Sequence, residues 1–291
     1  MLSVLNYITW NVSPFIYEGE HFAIGWYGTI VTLAIAVVYL FQYLIYRKEQ
    51  LPRGYTDIVF IACTILGTLF CHIFHCWFYE WYIVDGVWHN PTFEHPSEWL
   101  RIGHGMASHG VDFGMWLGAW FVAGKLFSCS TWWIMDRMIV SRLAFHAISR
   151  LSNIFNSEIY GNPTDLPWGM LFVNNGDTLP CHPTALYESL LAVLAILIWW
   201  YLYTRTNASK HLGLLTGISA LMLWVPRFLI EFLKPVQREF EEVFLLNMGQ
   251  MLSILYIIIG GVLIVWSLKP TSVAVPPQIY KDEKRKRKNK R

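Results

Sequence analysis

The 291-residue chain has few charged side chains. Asp, Glu, Lys and Arg together make up only 14% of it, whereas soluble domains carry about a quarter. Hydrophobic residues make up 55% of the sequence. This composition excludes an ordinary soluble domain and predicts a membrane protein.

Cysteines and basic N-terminal residues are also scarce. The five cysteines are an odd number and lack the paired spacing of a metal knuckle, so the sequence indicates no disulfide framework. Residues 1–20 contain neither Lys nor Arg, and no A-x-A-like cleavage site follows. We therefore expect no cleavable signal peptide.

Long apolar stretches and aromatic residues are abundant instead. Aromatic residues make up 16% of the chain, which is typical of the belts at lipid–water interfaces. Several stretches approach the ~20 residues that a helix needs to cross a bilayer. We predict an all-α polytopic membrane protein with about seven transmembrane helices. They cover roughly residues 21–46, 58–82, 110–127, 132–155, 187–203, 212–232 and 249–266. The fourth is weak because it carries charges, which leaves six possible.

Cations are concentrated in alternate loops. One set of loops holds Arg47, Lys48, Arg53, Lys125, Arg137, Arg205 and Lys210, and residues 281–291 hold eight of the 22 Lys and Arg. The other set holds only Arg101, Lys234 and Arg238. By the positive-inside rule, we expect the N-terminus outside and the C-terminus in the cytoplasm.

These patterns also divide the chain into regions. Residues 1–270 are expected to form one transmembrane helical domain, with periplasmic loops at about 83–104 and 156–182. A short surface helix is expected near 98–102. Residues 271–291 form a basic cytoplasmic tail, which we expect against anionic lipid rather than nucleic acid.

A polar segment at residues 150–161 interrupts this apolar chain. Read as a helix, Arg150, Asn153 and Ser157 share one face, and Asn156 and Glu158 lie near or beyond its end. A cation within a membrane helix costs a few kcal/mol, so it normally faces a partner, a cavity or a ligand. The alternative is a structural helix whose polar groups bind only neighbouring helices.

A second cation lies at a similar depth. Arg227 and Glu231 are spaced i, i+4 and can pair along one helix face, which a purely structural role would also explain. Together, Arg150 and Arg227 predict an anion site. The anion most available at this depth is the phosphodiester of a phospholipid.

Further polar residues lie where spans begin. His109 precedes the third span and is a candidate general base, although a helix cap is the more common role. Thr184 is expected to cap the fifth span, with Tyr187 and Glu188 in its first turns. Gln250 begins the last span and is able to bond across helices.

A histidine pair offers a different interpretation. His72 and His75 are spaced i, i+3 and could hold a haem or another metal, with His109 or His146 as the facing ligand. No CxxCH motif or carboxylate-rich ligand set accompanies them, which disfavours this hypothesis.

Taken in order, six stretches resemble bacterial prolipoprotein diacylglyceryl transferases. They are Trp26-Tyr27-Gly28, Ser108-His109-Gly110, residues 150–161, residues 182–188, the Arg227 and Glu231 pair, and Met248-Gly249-Gln250. The chain departs from the family pattern at some positions. Ser149 and Ser152 replace glycines, Val111 replaces a glycine, and His72 and Asn162 stand where arginines are usual. These departures indicate a divergent member.

The resemblance implies an activity. Such enzymes transfer the diacylglyceryl group of phosphatidylglycerol to the lipobox cysteine of a prolipoprotein in the bacterial inner membrane, and glycerol phosphate leaves. The implied partners are therefore this lipid, the prolipoprotein signal peptide and the bilayer, with no nucleic acid. No metal or other cofactor is implied.

The resemblance also implies roles for particular residues. The catalytic residues would be Arg150 and Arg227, which bind the phosphate, and His109, which accepts the thiol proton. Glu158 and Glu231 would orient the arginines, and Tyr27, Asn153 and Gly161 would bind the head group or shape the cavity. His182, Tyr187, Glu188 and Gln250 would support the site. The alternative is a transporter that binds an anionic solute at Arg150 and Arg227, but the sequence shows no convincing internal repeat.

Overall fold

The architecture comes from a computed structural model that describes residues 7–95, 97, 99, 105, 107–235 and 245–277. Within these ranges the chain forms eight α-helices. They are α1 (Trp26–Lys48), α2 (Arg53–Phe78), α3 (Pro91–Glu94), α4 (Ser108–Val122), α5 (Thr131–Phe155), α6 (Thr184–Arg205), α7 (Leu214–Ile230) and α8 (Met248–Ser267). A π-helix, Ala123–Phe127, continues α4, and a 3-10 turn, Glu231–Leu233, continues α7.

Five of these helices are long and apolar enough to cross a membrane. They are α1, α2, α6, α8, and α7 together with its 3-10 turn (Leu214–Leu233). The prediction of a mostly helical membrane protein is therefore confirmed at this level. The predicted third and fourth spans correspond to α4 and α5, which lie outside this set of five.

Helix α5 lies at the centre of the bundle. It packs against α1 and α6 along most of its length, and against α7 and α4. Most of its side chains are buried, including the charged Asp136, Arg137, Arg142 and Arg150. Neighbouring helices therefore separate these charges from lipid, which is the position that membrane proteins give to ionisable side chains.

Glycines bring α2 and α4 into close contact. A Cβ atom at Gly110 would lie 2.1 Å from the Phe70 carbonyl oxygen, and one at Gly114 would lie 2.2 Å from that of Leu66. Small residues four apart let two membrane helices approach until their backbones touch. This packing places the first turn of α4, with His109, beside the last turns of α2.

The end of the bundle where α1 finishes holds its own polar contacts. Asp136 accepts hydrogen bonds from the backbone N–H groups of Gly213 and Thr216 at 2.7 and 2.8 Å, so it satisfies the start of α7. Arg137 donates to Glu49 at 2.8 Å.

The interpretation of Arg137 as a loop cation is wrong, because it is buried within α5.

Short strands pair in the segments outside the long helices. Strand β1 (Ile8–Trp10) runs parallel to β6 (Met170–Phe172). Strand β2 (Phe15–Glu18) is antiparallel to β3 (Ala23–Gly25), and β4 (Tyr82–Val84) to β5 (Val87–His89). These three pairs were not predicted, because runs of three or four residues are too short to show a strand periodicity.

Residues 7–25 and 156–183 form a cap over one end of the bundle. Besides β1 and β6, the Asn174 side chain donates to the Val12 carbonyl at 2.5 Å. The rings of Trp10 and Trp26 both contact Phe155, at centroid distances of 5.6 and 5.1 Å. The cap thus covers the end where α1 begins and α5 ends.

Most predicted helix bounds agree with the structure to within a few residues. The first span was placed too early, because residues 23–25 pair with β2 instead. Ser157 does not continue the face of Arg150, because α5 ends at Phe155 and Ser157 has a φ of 53°. The helix expected near 98–102 falls almost entirely outside the described residues, and the basic run at 281–291 does so completely.

Candidate active site

Charged side chains from three helices meet beneath the cap. His146 and Arg150 come from α5, Glu188 from α6, and Arg227 from α7, and Glu231 and Lys234 follow in and after the 3-10 turn. We call these six residues the carboxylate cluster. All six are buried. A set of ionisable groups at this depth is a functional-site candidate.

The two predicted arginines meet on one oxygen atom. Arg150 Nε lies 2.7 Å from Glu188 Oε2, and Arg227 Nη1 donates to the same Oε2 at 3.1 Å. Glu188, predicted only as a supporting residue, is therefore the group that holds both guanidinium groups together. Because they share one partner, the guanidinium groups lie side by side in the way an anion site requires.

Donor capacity is left over at this junction. Within the described part of the chain, Arg227 Nε is buried and has no hydrogen-bond partner. Arg150 Nη1 makes only a long contact of 3.4 Å to Asn153 Oδ1. A buried donor without a partner costs about 1–3 kcal/mol, so a ligand oxygen at this position would remove a cost from the protein.

The other side of Glu188 contacts a lysine and a histidine. Lys234 Nζ donates to Glu188 Oε1 at 2.7 Å and to Glu231 Oε2 at 3.1 Å. His146 Nε2 lies 3.5 Å from Glu188 Oε2. The interpretation of Lys234 as a loop cation is wrong, because its side chain is buried among carboxylates.

His109 lies in an aromatic environment. It is fully buried, and its ring stacks on Trp224 at 4.3 Å, with Tyr256 at 5.8 Å. The Tyr256 hydroxyl donates to the His109 carbonyl at 2.6 Å. Neither ring nitrogen has a hydrogen-bond partner among the described residues. Packing thus fixes the ring, and both nitrogens are buried without a partner in that part of the chain.

Next to His109, an ion pair joins α4 and α5. Arg142 Nε donates to Asp112 Oδ1 at 2.5 Å, and Arg142 Nη2 lies 3.5 Å from the Ser108 carbonyl. Since Ser108 and Asp112 flank His109 in the first turns of α4, this pair holds the helix start in place.

Glu158 reaches Arg150 through an intermediate. Asn153 Nδ2 donates to Glu158 Oε1 at 3.0 Å, and Asn153 Oδ1 accepts the long contact from Arg150. Asn156 also donates to Glu158, at 3.3 Å. Glu158 thus reaches Arg150 only through Asn153, whereas Glu188 contacts both arginines directly.

Other predicted residues lie at the edge of the cluster. Tyr27, in the first turn of α1, is half-buried and lies within electrostatic range of Glu158 and Arg150. His182 Nδ1 lies 3.3 Å from the Tyr187 hydroxyl, which also accepts from Trp168 at 2.9 Å. His182 and Tyr187 therefore support the cap.

Gly161 has a packing role. A Cβ atom there would lie 2.6 Å from the Leu233 carbonyl oxygen and 2.9 Å from both the His182 and Thr184 side chains. Its N–H donates to the His182 carbonyl at 2.8 Å. Only a glycine lets the cap pass this close to the 3-10 turn that follows α7.

The cap also contains one of the five cysteines. Burial, together with the Asp177 carboxylate, raises the pKa of the Cys181 thiol. This thiol therefore stays protonated at neutral pH.

Two predicted helix starts differ from expectation. Thr184 is the first residue of α6 and not its cap; its hydroxyl donates to the Ile159 carbonyl at 2.8 Å. Gln250 forms a capping box with Asn247, and its side chain has no bond to another helix among the described residues. Both side chains hold the backbone of the site in place.

The histidine pair on α2 makes local contacts. His72 Nε2 lies 3.1 Å from the Trp99 carbonyl oxygen, and His75 Nε2 lies 2.5 Å from Glu80 Oε1. Within the ranges that the structure describes, no three His, Cys, Asp or Glu side chains converge as ligands for a metal ion.

The sequence of the chain matches a known family. The family model described as prolipoprotein diacylglyceryl transferase matches residues 14–266. The chain belongs to this family. The membership predicted from the six motifs is thus confirmed.

Individual relatives cover nearly the whole chain. The phosphatidylglycerol–prolipoprotein diacylglyceryl transferase of Chloroherpeton thalassium is 33% identical over 270 residues, which are 91% of this chain and 96% of the relative. The transferase of the same name from Tolumonas auensis is 32% identical, covering 89% of this chain and 97% of the relative. That from Porphyromonas gingivalis is 31% identical, covering 90% and 95%.

Sequence reasoning missed two members of the cluster in this transferase-family chain. Lys234 follows Arg227 and Glu231 at i+7 and i+3, so a helical projection places it on their face. His146 precedes Arg150 by four residues and faces the same way. Both signals were present, but Lys234 was assigned to a loop and His146 to a possible metal site.

Proposed function

We propose that the protein transfers the diacylglyceryl group of phosphatidylglycerol to the lipobox cysteine thiol of prolipoproteins. In this step a bond forms between the cysteine sulfur and the glyceryl carbon of the lipid. The bond between that carbon and the phosphate oxygen breaks, and its electron pair leaves with glycerol phosphate. The thiol proton passes to a base.

The observation that carries this proposal is the shared oxygen of Glu188. Arg150 and Arg227 lie side by side there, and Arg227 Nε is a buried donor without a partner among the described residues. Two guanidinium groups in a water-poor site stabilise the charge that develops on a departing phosphate. Asn153, Glu158 and Tyr27 lie at the edge of this site, where they contact the glycerol head group.

His109 is the base in this proposal. A thiolate is the reactive form of cysteine, and the buried imidazole has two nitrogens without partners in the described chain. Stacking on Trp224, one turn before Arg227, keeps the ring near the phosphate site. The proton from the incoming thiol is thus taken up close to where the carbon–oxygen bond breaks.

We further propose a seven-span arrangement in the bacterial inner membrane. Helices α4 and α5 cross the bilayer with the five apolar helices. Neighbouring helices shield most of α5 from lipid, whereas Phe113, Trp120 and Phe121 of α4 are exposed and face lipid. The N-terminus lies outside and the C-terminus in the cytoplasm, because the positive-inside rule assigns the basic loops and the basic sequence of the tail at 271–291 to the cytoplasmic side. The transmembrane domain covers 1–270, and the loops at about 83–104 and 156–182 are periplasmic.

The test is a transfer assay. Purified protein in phosphatidylglycerol nanodiscs is incubated with a lipobox peptide, and the diacylglyceryl thioether is measured by mass spectrometry. We expect product with the wild type, and a loss of at least ~100-fold in Arg150→Ala. Arg205→Ala is the matched control, because Arg205 ends α6 at the opposite end of the bundle.

Two results would contradict the proposal. One is a wild-type protein that forms no thioether with phosphatidylglycerol. The other is full activity in Arg150→Ala. Uptake of an anionic solute without peptide modification would instead support the transporter, which neither the family nor the named relatives favour.

A further inference from the structure

Lys234 is the buried cation that sequence reasoning left in a loop. Its ammonium group lies between two carboxylates, 2.7 Å from Glu188 Oε1 and 3.1 Å from Glu231 Oε2. Its side chain is 1% exposed. A lysine with a flexible four-carbon chain normally keeps its charge in water, so this position needs a reason.

The backbone around Lys234 is fixed from the cap. Asn162 donates its N–H to the Leu233 carbonyl at 2.7 Å, and the Lys234 N–H returns to the Glu231 carbonyl at 3.2 Å. Gly161 lets this contact form, because any side chain there would collide with Leu233. The segment that follows Arg150 along the chain therefore holds Lys234 in the cluster.

Lys234 changes the charge balance of the carboxylate cluster. Arg150, Arg227 and Lys234 carry three positive charges, and Glu188 and Glu231 carry two negative ones. The neighbouring Arg142 and Asp112 cancel each other. The six residues of the cluster thus have one positive charge in excess, and the Glu158 carboxylate reaches Arg150 only through Asn153. Among the described residues this excess has no direct counterion, which is costly for a buried charge, and a phosphodiester carries the one negative charge that neutralises it.

We propose that Lys234 supplies this excess and determines the affinity of the site for a single anionic phosphodiester. Lys234 acts as a positioning residue through Glu188. It anchors Oε1, so that Glu188 stays in place when a lipid phosphate takes over guanidinium donors near Oε2. Without Lys234, the two arginines are neutralised by two carboxylates, and the site loses its attraction for the lipid. This inference rests on the proposed function and adds the residue that sets its lipid affinity.

The experiment varies the charge at two positions in the full-length protein. In nanodiscs with increasing mole fractions of phosphatidylglycerol, KM for the lipid and kcat are measured with a saturating lipobox peptide. We expect Lys234→Met to raise KM at least tenfold and Lys234→Arg to remain within about threefold of the wild type. The double variant Lys234→Met with Glu231→Gln restores one excess charge, so KM is expected to fall back toward the wild-type value.

A second measurement does not depend on turnover. Native mass spectrometry of the peptide-free protein reports how much phosphatidylglycerol it retains. We expect Lys234→Met to retain less lipid, and the double variant to recover it. If Lys234→Met does not fold, Lys234→Gln with and without Glu231→Gln provides the same comparison, because Gln keeps a hydrogen-bond donor without the charge.

The outcomes separate the inference from the proposed function. A wild-type protein without transfer activity contradicts the function. An active wild type whose Lys234→Met variant keeps its KM and its lipid contradicts only the role of Lys234. A double variant that is no better than the single one also overturns the role in charge balance. The unfolding midpoints of both variants separate the two roles, because a purely structural ion pair would change the midpoint and leave KM and lipid retention at the wild-type level.

Discussion

The position of the His109 side chain is fixed by neighbouring aromatic rings rather than by hydrogen bonds to its own ring. Its imidazole is held by Trp224 and Tyr256, and its carbonyl by the Tyr256 hydroxyl. Buried polar atoms are nearly always paired, so two ring nitrogens without partners in the described chain need an explanation. A substrate thiol that arrives only during the reaction provides one.

The first prediction tests this role. His109→Phe keeps an aromatic ring against Trp224 but removes both nitrogens. We expect kcat for thioether formation to fall by ~10²- to 10⁴-fold, the range for loss of a general base, while the thermal unfolding midpoint stays within a few degrees of the wild type. The measurement combines the transfer assay with thermal unfolding in detergent. An active His109→Phe variant would rule out His109 as the base.

Glu188 is the residue that connects the members of the carboxylate cluster. It contacts Arg150, Arg227, Lys234 and His146, whereas Glu158 reaches the arginines only through Asn153. A carboxylate that holds several buried cations is expected to matter for stability as well as for geometry, because removal of one member leaves uncompensated charge.

The second prediction compares the loss of activity and stability on removal of the Glu188 charge with the loss on removal of a surface carboxylate. In Glu188→Gln the arginines lose their common partner, so we expect at least ~100-fold lower kcat and a lower unfolding midpoint. Glu94→Gln is the control, because Glu94 is exposed and pairs only with His89 in the described chain. Equal activity in the two variants would contradict the central position of Glu188.

At the scale of the elements, α5 is the helix around which the bundle forms. Its four charged residues make it the weakest span by sequence, yet its buried position explains why they are tolerated. Each charge has a partner from another helix or a loop: Gly213 and Thr216 for Asp136, Glu49 for Arg137, Asp112 for Arg142 and Glu188 for Arg150. Low apolarity here reflects a central position rather than exposure to water.

The third prediction concerns the contact of α2 with α4. In Gly114→Ala the new methyl group collides with the Leu66 carbonyl, so we expect about 1–3 kcal/mol of destabilisation by overpacking. Gly261→Ala, within α8, is the matched control. A Cβ atom there meets nothing within 4 Å, and its higher helix propensity is expected to leave stability unchanged or slightly increased.

Thermal unfolding of both glycine variants in the same detergent provides the measurement. If Gly114→Ala unfolds at the wild-type temperature, the close approach of the two helices is not required. Because His109 lies on the same helix, we also expect transfer activity to fall with the unfolding midpoint in Gly114→Ala but not in Gly261→Ala.

At the scale of the whole molecule, all the proposed catalytic side chains lie at one end. Tyr27, His109 and Glu188 lie in the first two turns of α1, α4 and α6, and Arg150 and Arg227 lie in the last two turns of α5 and α7. The cap covers this end, and the opposite end holds Glu49, Arg137 and Tyr203. This division agrees with a reaction on the outer side of the membrane.

The fourth prediction tests that orientation. A fluorescent protein fused to the C-terminus is expected to mature in the cytoplasm, whereas alkaline phosphatase at the same position stays inactive. A cysteine introduced at Asn174 in the cap is expected to react with a membrane-impermeant maleimide in intact spheroplasts. Active phosphatase at the C-terminus would contradict the proposed topology, because it would place the C-terminus outside the cytoplasm.

The sequence by itself determined the membrane helices and the family. Apolar runs, helix bounds and the order of six motifs are local features, and each can be read without knowledge of its neighbours. The same local reading predicted Arg150, Arg227 and His109 as site residues, and the two arginines meet on Glu188. It failed for the short strands, which are stabilised only by their partners.

Only the tertiary structure decided which charge pairs with which. Arg227 and Glu188 are 39 residues apart in the chain, and no spacing rule connects residues on different helices. The loop assignment of Lys234 failed for this reason, and the central position of Glu188 was not predicted. In a low-dielectric interior a cation is tolerated where a carboxylate lies within reach, and only the packing of helices settles which carboxylate that is.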